Sequence, residues 1–161
     1  MTDTTTMSHV VITGAAGALG RAVVQHFLEQ GARLALVDHR ADRLAEVFPG
    51  LDNSQHLLLA GDVTSAADMT ELASQALKAF GRIDALVHIA GGFEMGEATH
   101  ALTRASWERM MNLNAWSFVA VTATMRPAPR SIIEGSTACV TATKDQALRF
   151  IIRSQLARES A

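Results

Sequence analysis

The residues best suited to chemistry in this chain sit in its first quarter. Thr13-Gly14-Ala15-Ala16-Gly17-Ala18-Leu19-Gly20 follows the apolar run Val10-Val11-Ile12, and Asp38 closes the next apolar run. A strand, a glycine turn and a helix start in that order present unpaired amides and a positive dipole end to an anion. Gly14 permits the tight turn, Gly17 lets backbone approach a phosphate, and Gly20 lets the helix pack close to the sheet. Asp38 lies about 20 residues further on, where a carboxylate accepts from adenosine ribose hydroxyls. The spacing therefore points to a dinucleotide. A carboxylate there repels a 2′-phosphate, so NAD is favoured over NADP, although Arg40 and Arg43 pull the other way. The plainer alternative is that the glycines only make a turn and Asp38 caps the following helix.

Two more glycine-marked strand ends would lie at the same edge of a parallel sheet, where ligands bind in such folds. They are Gly61-Asp62-Val63 and Ala90-Gly91-Gly92. Asp62 could meet an adenine amino group or cap the next helix. Gly91 and Gly92 let backbone pass close to a cofactor ribose.

The elements that must position these residues alternate along the chain. Apolar runs at His9–Thr13, Arg33–Asp38, Gln55–Gly61, Ile83–Ala90 and Ser131–Gly135 read as strands buried on both faces. Between them, Ser65–Phe80 puts Met69, Leu72, Ala73, Ala76, Leu77 and Phe80 on one helical face, with Thr64 or Ser65 to cap it and Gly81 to end it. Further helices are expected from near Ala18, over Ala41–Val47, over about Thr103–Thr124, and from about Thr141 to Arg158. This is the pattern of an α/β fold, a doubly wound parallel sheet of about five strands with right-handed crossovers. Residues 1–8 read as a flexible N-terminal tail, and 9–161 as a single dinucleotide-binding domain.

Composition narrows the function classes. The 161 residues carry a net charge of −2 with no basic run, which argues against nucleic acid as a partner. One cysteine, Cys139, excludes an internal disulfide and fits a cytoplasmic protein. There is no apolar stretch near the roughly 20 residues a membrane span needs, and no signal-peptide pattern. The six histidines are scattered, so no metal site is expected.

Taken together, these motifs resemble the short-chain dehydrogenase/reductase family from about His9 to Met125, and again, altered, from Ser131 to Glu159. The resemblance implies a Rossmann-like domain, an NAD(P)(H) cofactor, and interconversion of an alcohol and a carbonyl on a small molecule. It assigns cofactor contacts to Thr13, Gly14, Gly17, Leu19, Gly20, Asp38, Asp62, Val63, Ala90 and Gly91. Asn114, in Asn112-Leu113-Asn114-Ala115, matches an asparagine that bends the long helix and holds a proton-relay water; as residue chemistry alone it could equally be a polar kink. Ser136, after the fifth strand, and Lys144 match the remaining catalytic positions.

Departures from the family pattern are concentrated late in the chain. His88-Ile89 replaces the usual asparagine pair; a histidine there is either a packed strand-end residue or a catalyst. Val140-Thr141-Ala142-Thr143-Lys144 resembles the Tyr-x-x-x-Lys box with valine for tyrosine, and the chain contains no tyrosine at all. Few residues separate Ser136 from Val140, and the family's last strands and lid would follow Ala161. The expectation is thus a C-terminally truncated member with an incomplete active site. The alternatives are a non-catalytic nucleotide-binding or assembly protein of the same fold, or a longer enzyme whose back end is altered by a shifted frame or missing loops. An uncovered fifth strand and last helix suggest a homo-oligomer, most simply a twofold dimer.

Overall fold

The computed structural model describes residues 8–51, 54–93, 98–125 and 138–141. Five strands form one parallel sheet: β1 (His9–Thr13), β2 (Arg33–Asp38), β3 (Leu57–Ala60), β4 (Ala85–His88) and β5 (Ala138–Thr141), in the order β3-β2-β1-β4-β5. The helices are α1 (Ala18–Glu29), α2 (Ala41–Val47), α3 (Ala66–Phe80), α4 (Arg104–Met111) and α5 (Ser117–Thr124), with a short 3-10 turn at Thr99–Ala101. The expected doubly wound α/β architecture is what the chain adopts.

Strand alternation explains how the sheet is covered. Val10, Ile12, Leu34, Leu36 and Val87 face one side, where they pack with Val23 and Val24 of α1 and Leu44 of α2. Val11, Ala35, Val37, Leu59 and Leu86 face the other, against Met69, Leu72, Ala73 and Ala76 of α3 and Val121 of α5. Burying each Leu or Val is worth about 1.5–3 kcal/mol. A one-residue slip would exchange the two faces and the helices each must meet, so this double patterning fixes the register.

The bounds of β1, β2 and α2 coincide with those expected from the sequence. β3 and β4 are shorter, because only four residues of each lie in register with a neighbour. α3 starts on Ser65, whose hydroxyl accepts from the Asp68 N–H at 3.2 Å, and ends on Gly81 with φ 75°. The cap is therefore Ser65, not Thr64. The long helix expected over Thr103–Thr124 is continuous from Arg104, but residues Asn112–Trp116 between α4 and α5 are wound as a π-helix.

The fifth strand departs from expectation. The run Ser131–Gly135 lies outside the described residues; the strand observed is Ala138–Thr141, with Val140 opposite Val87 and Thr141 opposite His88. Val140 and Thr141 therefore do not open a helix. Both are β-branched, and beside the end of β4 they suit a strand better than a helix start. The rest of the expected last helix lies outside the described residues.

Candidate functional site

The strand order reverses between β1 and β4, and the carboxyl ends of the strands at such a switch point are the usual ligand position in open α/β sheets. Every described candidate residue except Asp62 and Val63, which follow β3, lies on or beside this switch point. The glycine turn forms one side of it. Gly14 has φ +70°, and a Cβ on it would lie 2.7 Å from the Ala90 backbone nitrogen. Only glycine therefore lets the turn after β1 rest on the chain leaving β4. Gly17 is the N-cap of α1; its N–H donates to the Gly14 carbonyl at 3.1 Å, and it has no side chain to cap the helix. The first turn of α1 also carries no acidic residue. The helix start thus keeps its attraction for an anion, with the Ala18 and Leu19 amides in the first turn.

Gly20 works differently from the expectation. A Cβ there would overlap the Gly14 carbonyl oxygen and lie 2.6 Å from that of Ala15, so its smallness lets α1 close on the turn's own carbonyls, not on a strand.

Asp38 is buried at the end of β2. Its Oδ2 accepts from the Ala16 N–H at 3.1 Å and its Oδ1 from the His39 N–H at 2.9 Å. The exposed His39 ring nitrogen lies 3.0 Å from the same Oδ1. The carboxylate thus braces the glycine turn. It does not cap α2, whose N-cap is Arg40 with no side-chain cap bond. Ionised, it has lone pairs beyond those used by the two amides, which a ribose diol can fill. Nearby, Arg40 is engaged by Asp42 in a two-point contact of 3.1 and 2.5 Å. The Arg40 guanidinium hydrogen bond holds the Asp42 carboxyl down to about 2.

The site continues along the ends of β3 and β4. Asp62 is exposed, and its Oδ1 accepts from the Thr64 N–H and hydroxyl, both at 2.8 Å. It shapes the turn before α3 without capping the helix. Val63 is buried with the α3 and α5 core. Asn114, on the π segment, grips the chain after β4 at both its amide groups. Its Oδ1 accepts from the Gly92 N–H at 3.0 Å, and its Nδ2 donates to the Gly92 and Met110 carbonyls, both at 2.9 Å. A Cβ on Gly91 would come within 2.9 Å of that Oδ1. The kink and the clamp are one device: the wider π turn brings Asn114 to Gly92.

Four contacts went unread in the sequence. His88, at the end of β4, touches Thr13 and Ser117; the Ser117 hydroxyl donates to the Leu113 carbonyl inside the π segment; and the Trp116 indole N–H donates to the Thr64 carbonyl at 3.1 Å. Ser117 within the helix was the available signal, since such hydroxyls bond back to the i−4 carbonyl and bend helices. Burial pushes the His88 imidazole below its ordinary pKa. Ser136 and Lys144 lie outside the described residues. Among the described residues no cluster of three metal-ligating side chains occurs, and no helix is long and apolar enough to cross a membrane.

Comparison with known proteins agrees with this geometry. A family model described as short chain dehydrogenase matches residues 8–144. The cis-2,3-dihydrobiphenyl-2,3-diol dehydrogenase of Paraburkholderia xenovorans (strain LB400) is 34% identical over 124 residues, which cover 74% of this chain and 44% of that protein. Glucose 1-dehydrogenase of Gluconobacter oxydans is 30% identical over 65% of this chain and 40% of its own length. Among solved structures, a short-chain dehydrogenase/reductase from Brucella melitensis superposes with a TM-score of 0.67 at 27% identity, over 73% of this chain and 50% of that one. The chain spans about half or less of the relatives it matches. With the turn, the bracing carboxylate and the asparagine clamp at one switch point, and the family model matching 137 consecutive residues, the chain belongs to the short-chain dehydrogenase family.

Proposed function

We propose that this chain binds NAD(H) at the switch point and serves as an oxidoreductase of short-chain dehydrogenase/reductase type, interconverting an alcohol and a carbonyl on a small molecule. The observation that carries this reading is the glycine turn: an uncapped helix start with no acidic residue, closed against Ala90 by a glycine whose Cβ would strike backbone. That cradle fits a pyrophosphate. In it, the amides of the first turn of α1 would take the pyrophosphate and Asp38 the adenosine ribose, with Asp62 and Val63 towards adenine and Ala90 and Gly91 along the second ribose. The bound nicotinamide would supply hydride chemistry; the chain's part is to hold it and exclude water. NAD is preferred to NADP because Asp38 repels a 2′-phosphate and Arg40 is engaged by Asp42.

Catalytic roles are proposed for Asn114, which would keep a water beside the long helix, for Ser136, which would polarise a carbonyl, and for Lys144, which would contact the nicotinamide ribose. The proton donor is the weak point. The family uses a tyrosine phenol, and these 161 residues contain none. Lack of a positioned acid–base group costs about 10²–10⁴-fold in rate. Because Val140 lies on β5, a second reading is also proposed: a non-catalytic nucleotide-binding or assembly protein of the same fold. The single-domain organisation, a cytoplasmic location and a twofold homo-oligomer complete the proposal. The last is supported by β5 at the edge of the described strand order and by half-exposed Trp107, Trp116 and Val119 on the long helix.

Calorimetric titration with NADH and then NADPH tests the core of it. Saturable binding, tighter for NADH and lost in Asp38→Ala, is expected. Absence of binding to both would refute it. Turnover of an alcohol–carbonyl pair separates the enzyme from the binding protein.

A further inference from the structure

His88 ends β4 directly opposite Thr13, which ends β1, and only 5% of it is exposed. Both ring nitrogens are engaged: Nδ1 lies 2.7 Å from Thr13 Oγ1, and Nε2 lies 3.2 Å from Ser117 Oγ. The directions of these bonds follow from proton counting. The Ser117 hydroxyl has one proton, and it goes to the Leu113 carbonyl at 2.6 Å. Ser117 Oγ can therefore only accept from the ring, so Nε2 carries the hydrogen. A neutral imidazole with hydrogen on Nε2 has a bare Nδ1, which accepts from the Thr13 hydroxyl. Thr13 Oγ1 in turn faces the Ala90 N–H at 3.4 Å. One polarised chain thus runs from Ala90 through Thr13, His88 and Ser117 to Leu113.

That chain joins the glycine turn to the long helix across the switch point. Thr13 opens the glycine turn. Leu113 lies in the π segment beside Asn114, which clamps Gly92. The Leu113 carbonyl lies where the wider turn disturbs the regular helix ladder, and it has the Ser117 hydroxyl as a partner.

We propose that His88, held as its Nε2–H tautomer, is a positioning residue of the dinucleotide site, fixing the glycine turn to the helix segment that carries Asn114. This rests on the dinucleotide-binding reading for its effect on affinity, but the tie itself does not depend on any ligand. A core histidine that only filled space would be replaceable by an apolar residue with a loss of stability alone. A positioning histidine also sets the geometry of the turn, and a carboxamide, with one acceptor and one donor, partly restores it.

The test uses the intact chain with His88→Leu, His88→Gln and Ser117→Ala. Heteronuclear NMR of the histidine ring nitrogens at neutral pH is expected to find hydrogen on Nε2 and none on Nδ1; the opposite tautomer overturns the proposal. NADH affinity should fall about tenfold in His88→Leu, less in Ser117→Ala, and recover to within about threefold of the parent in His88→Gln. Parental affinity in His88→Leu overturns it. If the parent itself binds neither dinucleotide, the proposed function fails and amide exchange decides the tie. Faster exchange both at residues 13–16 and at 113–117 in either variant supports it; exchange changed only around the substituted residue overturns it. Should His88→Leu not fold, Ser117→Ala and His88→Gln answer the same question.

Discussion

The two edges of this sheet each hold a largely buried histidine at the end of a strand, and they treat it in opposite ways. At the amino edge, His9 opens β1 and meets Asp84: the His9 N–H donates to Oδ2 at 2.9 Å, its ring nitrogen lies 3.0 Å away, and Arg82 Nε donates to the same carboxylate at 3.0 Å. Phe80 packs beside it, under the Arg33 guanidinium at 4.8 Å. Side chains there satisfy one another. At the carboxyl edge, Asp38, Asn114 and, through Thr13, His88 meet backbone amides and carbonyls of turns, and the helix start between them is left uncapped. A closed cluster fastens the fold; a set of side chains spent on shaping backbone leaves a place for something else to bind. Burial of a histidine does not by itself distinguish the two, but its partners do.

Glycine substitutions should break the comparison most sharply. Gly14→Val would put a branched side chain at φ +70° against the Ala90 backbone, and should cost more than about 3 kcal/mol or prevent folding. Gly31→Ala also sits at positive φ, +72°, but nothing lies within 4 Å of its Cβ. It should cost only about 1–2 kcal/mol, for backbone conformation alone. Urea denaturation of both measures the contrast, and near-equal losses would mean the turn is not tightly packed.

Next in size, Asp84→Asn should destabilise by about 1–3 kcal/mol while leaving NADH affinity unchanged, since it breaks the closed cluster far from the switch point. A matching drop in affinity, read by calorimetry, would mean the two edges are coupled.

Acid should separate them again. His88 is pushed below its ordinary value by burial, so the unfolded chain binds a proton that the folded chain refuses. Stability is then full above about pH 6.5 and falls as pH drops towards the folded value. Burial alone would raise the Asp84 carboxyl, but hydrogen bonds from His9 and Arg82 together outweigh it and lower it. Its contribution is present above about pH 4 and is lost only below that. Thermal unfolding followed from about pH 4.5 to about 7 should show a slope that His88→Gln reduces and Asp84→Asn keeps, with His56, also held below its ordinary value by burial, supplying the rest.

The smallest effect concerns cofactor choice. Asp42→Asn would release Arg40 from its carboxylate partner, and NADPH affinity should rise about two- to fivefold. Stability should scarcely change, because the pair is on the surface. Unchanged NADPH affinity would leave Asp38 as the sole basis for discrimination.

How much of this was legible in the sequence varied with the range of the interaction. β1, β2, α2 and both ends of α3 follow from local pattern: alternation within a strand, a serine before an acidic first turn, a glycine after the last apolar residue. The glycine turn was legible for the same reason. Its detailed contacts were not, since Gly14 meets Ala90 and Gly20 meets the turn's own carbonyls only once the sheet is assembled. The helix-cap alternative for Asp38 gives way to a brace on Ala16, twenty-two positions away in sequence. The tie between Ser117 and His88 spans 29 positions, which no local pattern encodes. The helix start expected near Thr141 gives way to a strand, because Ala-Cys-Val-Thr is itself a strand-forming run that finds its partner in β4.

One earlier contact makes this chain convenient to watch. Its two tryptophans, Trp107 and Trp116, both belong to the long helix and its π segment, and both are about half exposed at 53% and 48%. Trp116 has its indole fastened to the turn before α3, on the Thr64 carbonyl. Ultraviolet emission from the unlabelled chain therefore originates from a single element, and one of its two chromophores is tied to the segment that follows β3. Any shift in colour or intensity when a small molecule is added reports on that helix. Comparing Trp107→Phe with Trp116→Phe would assign the signal to one end of it.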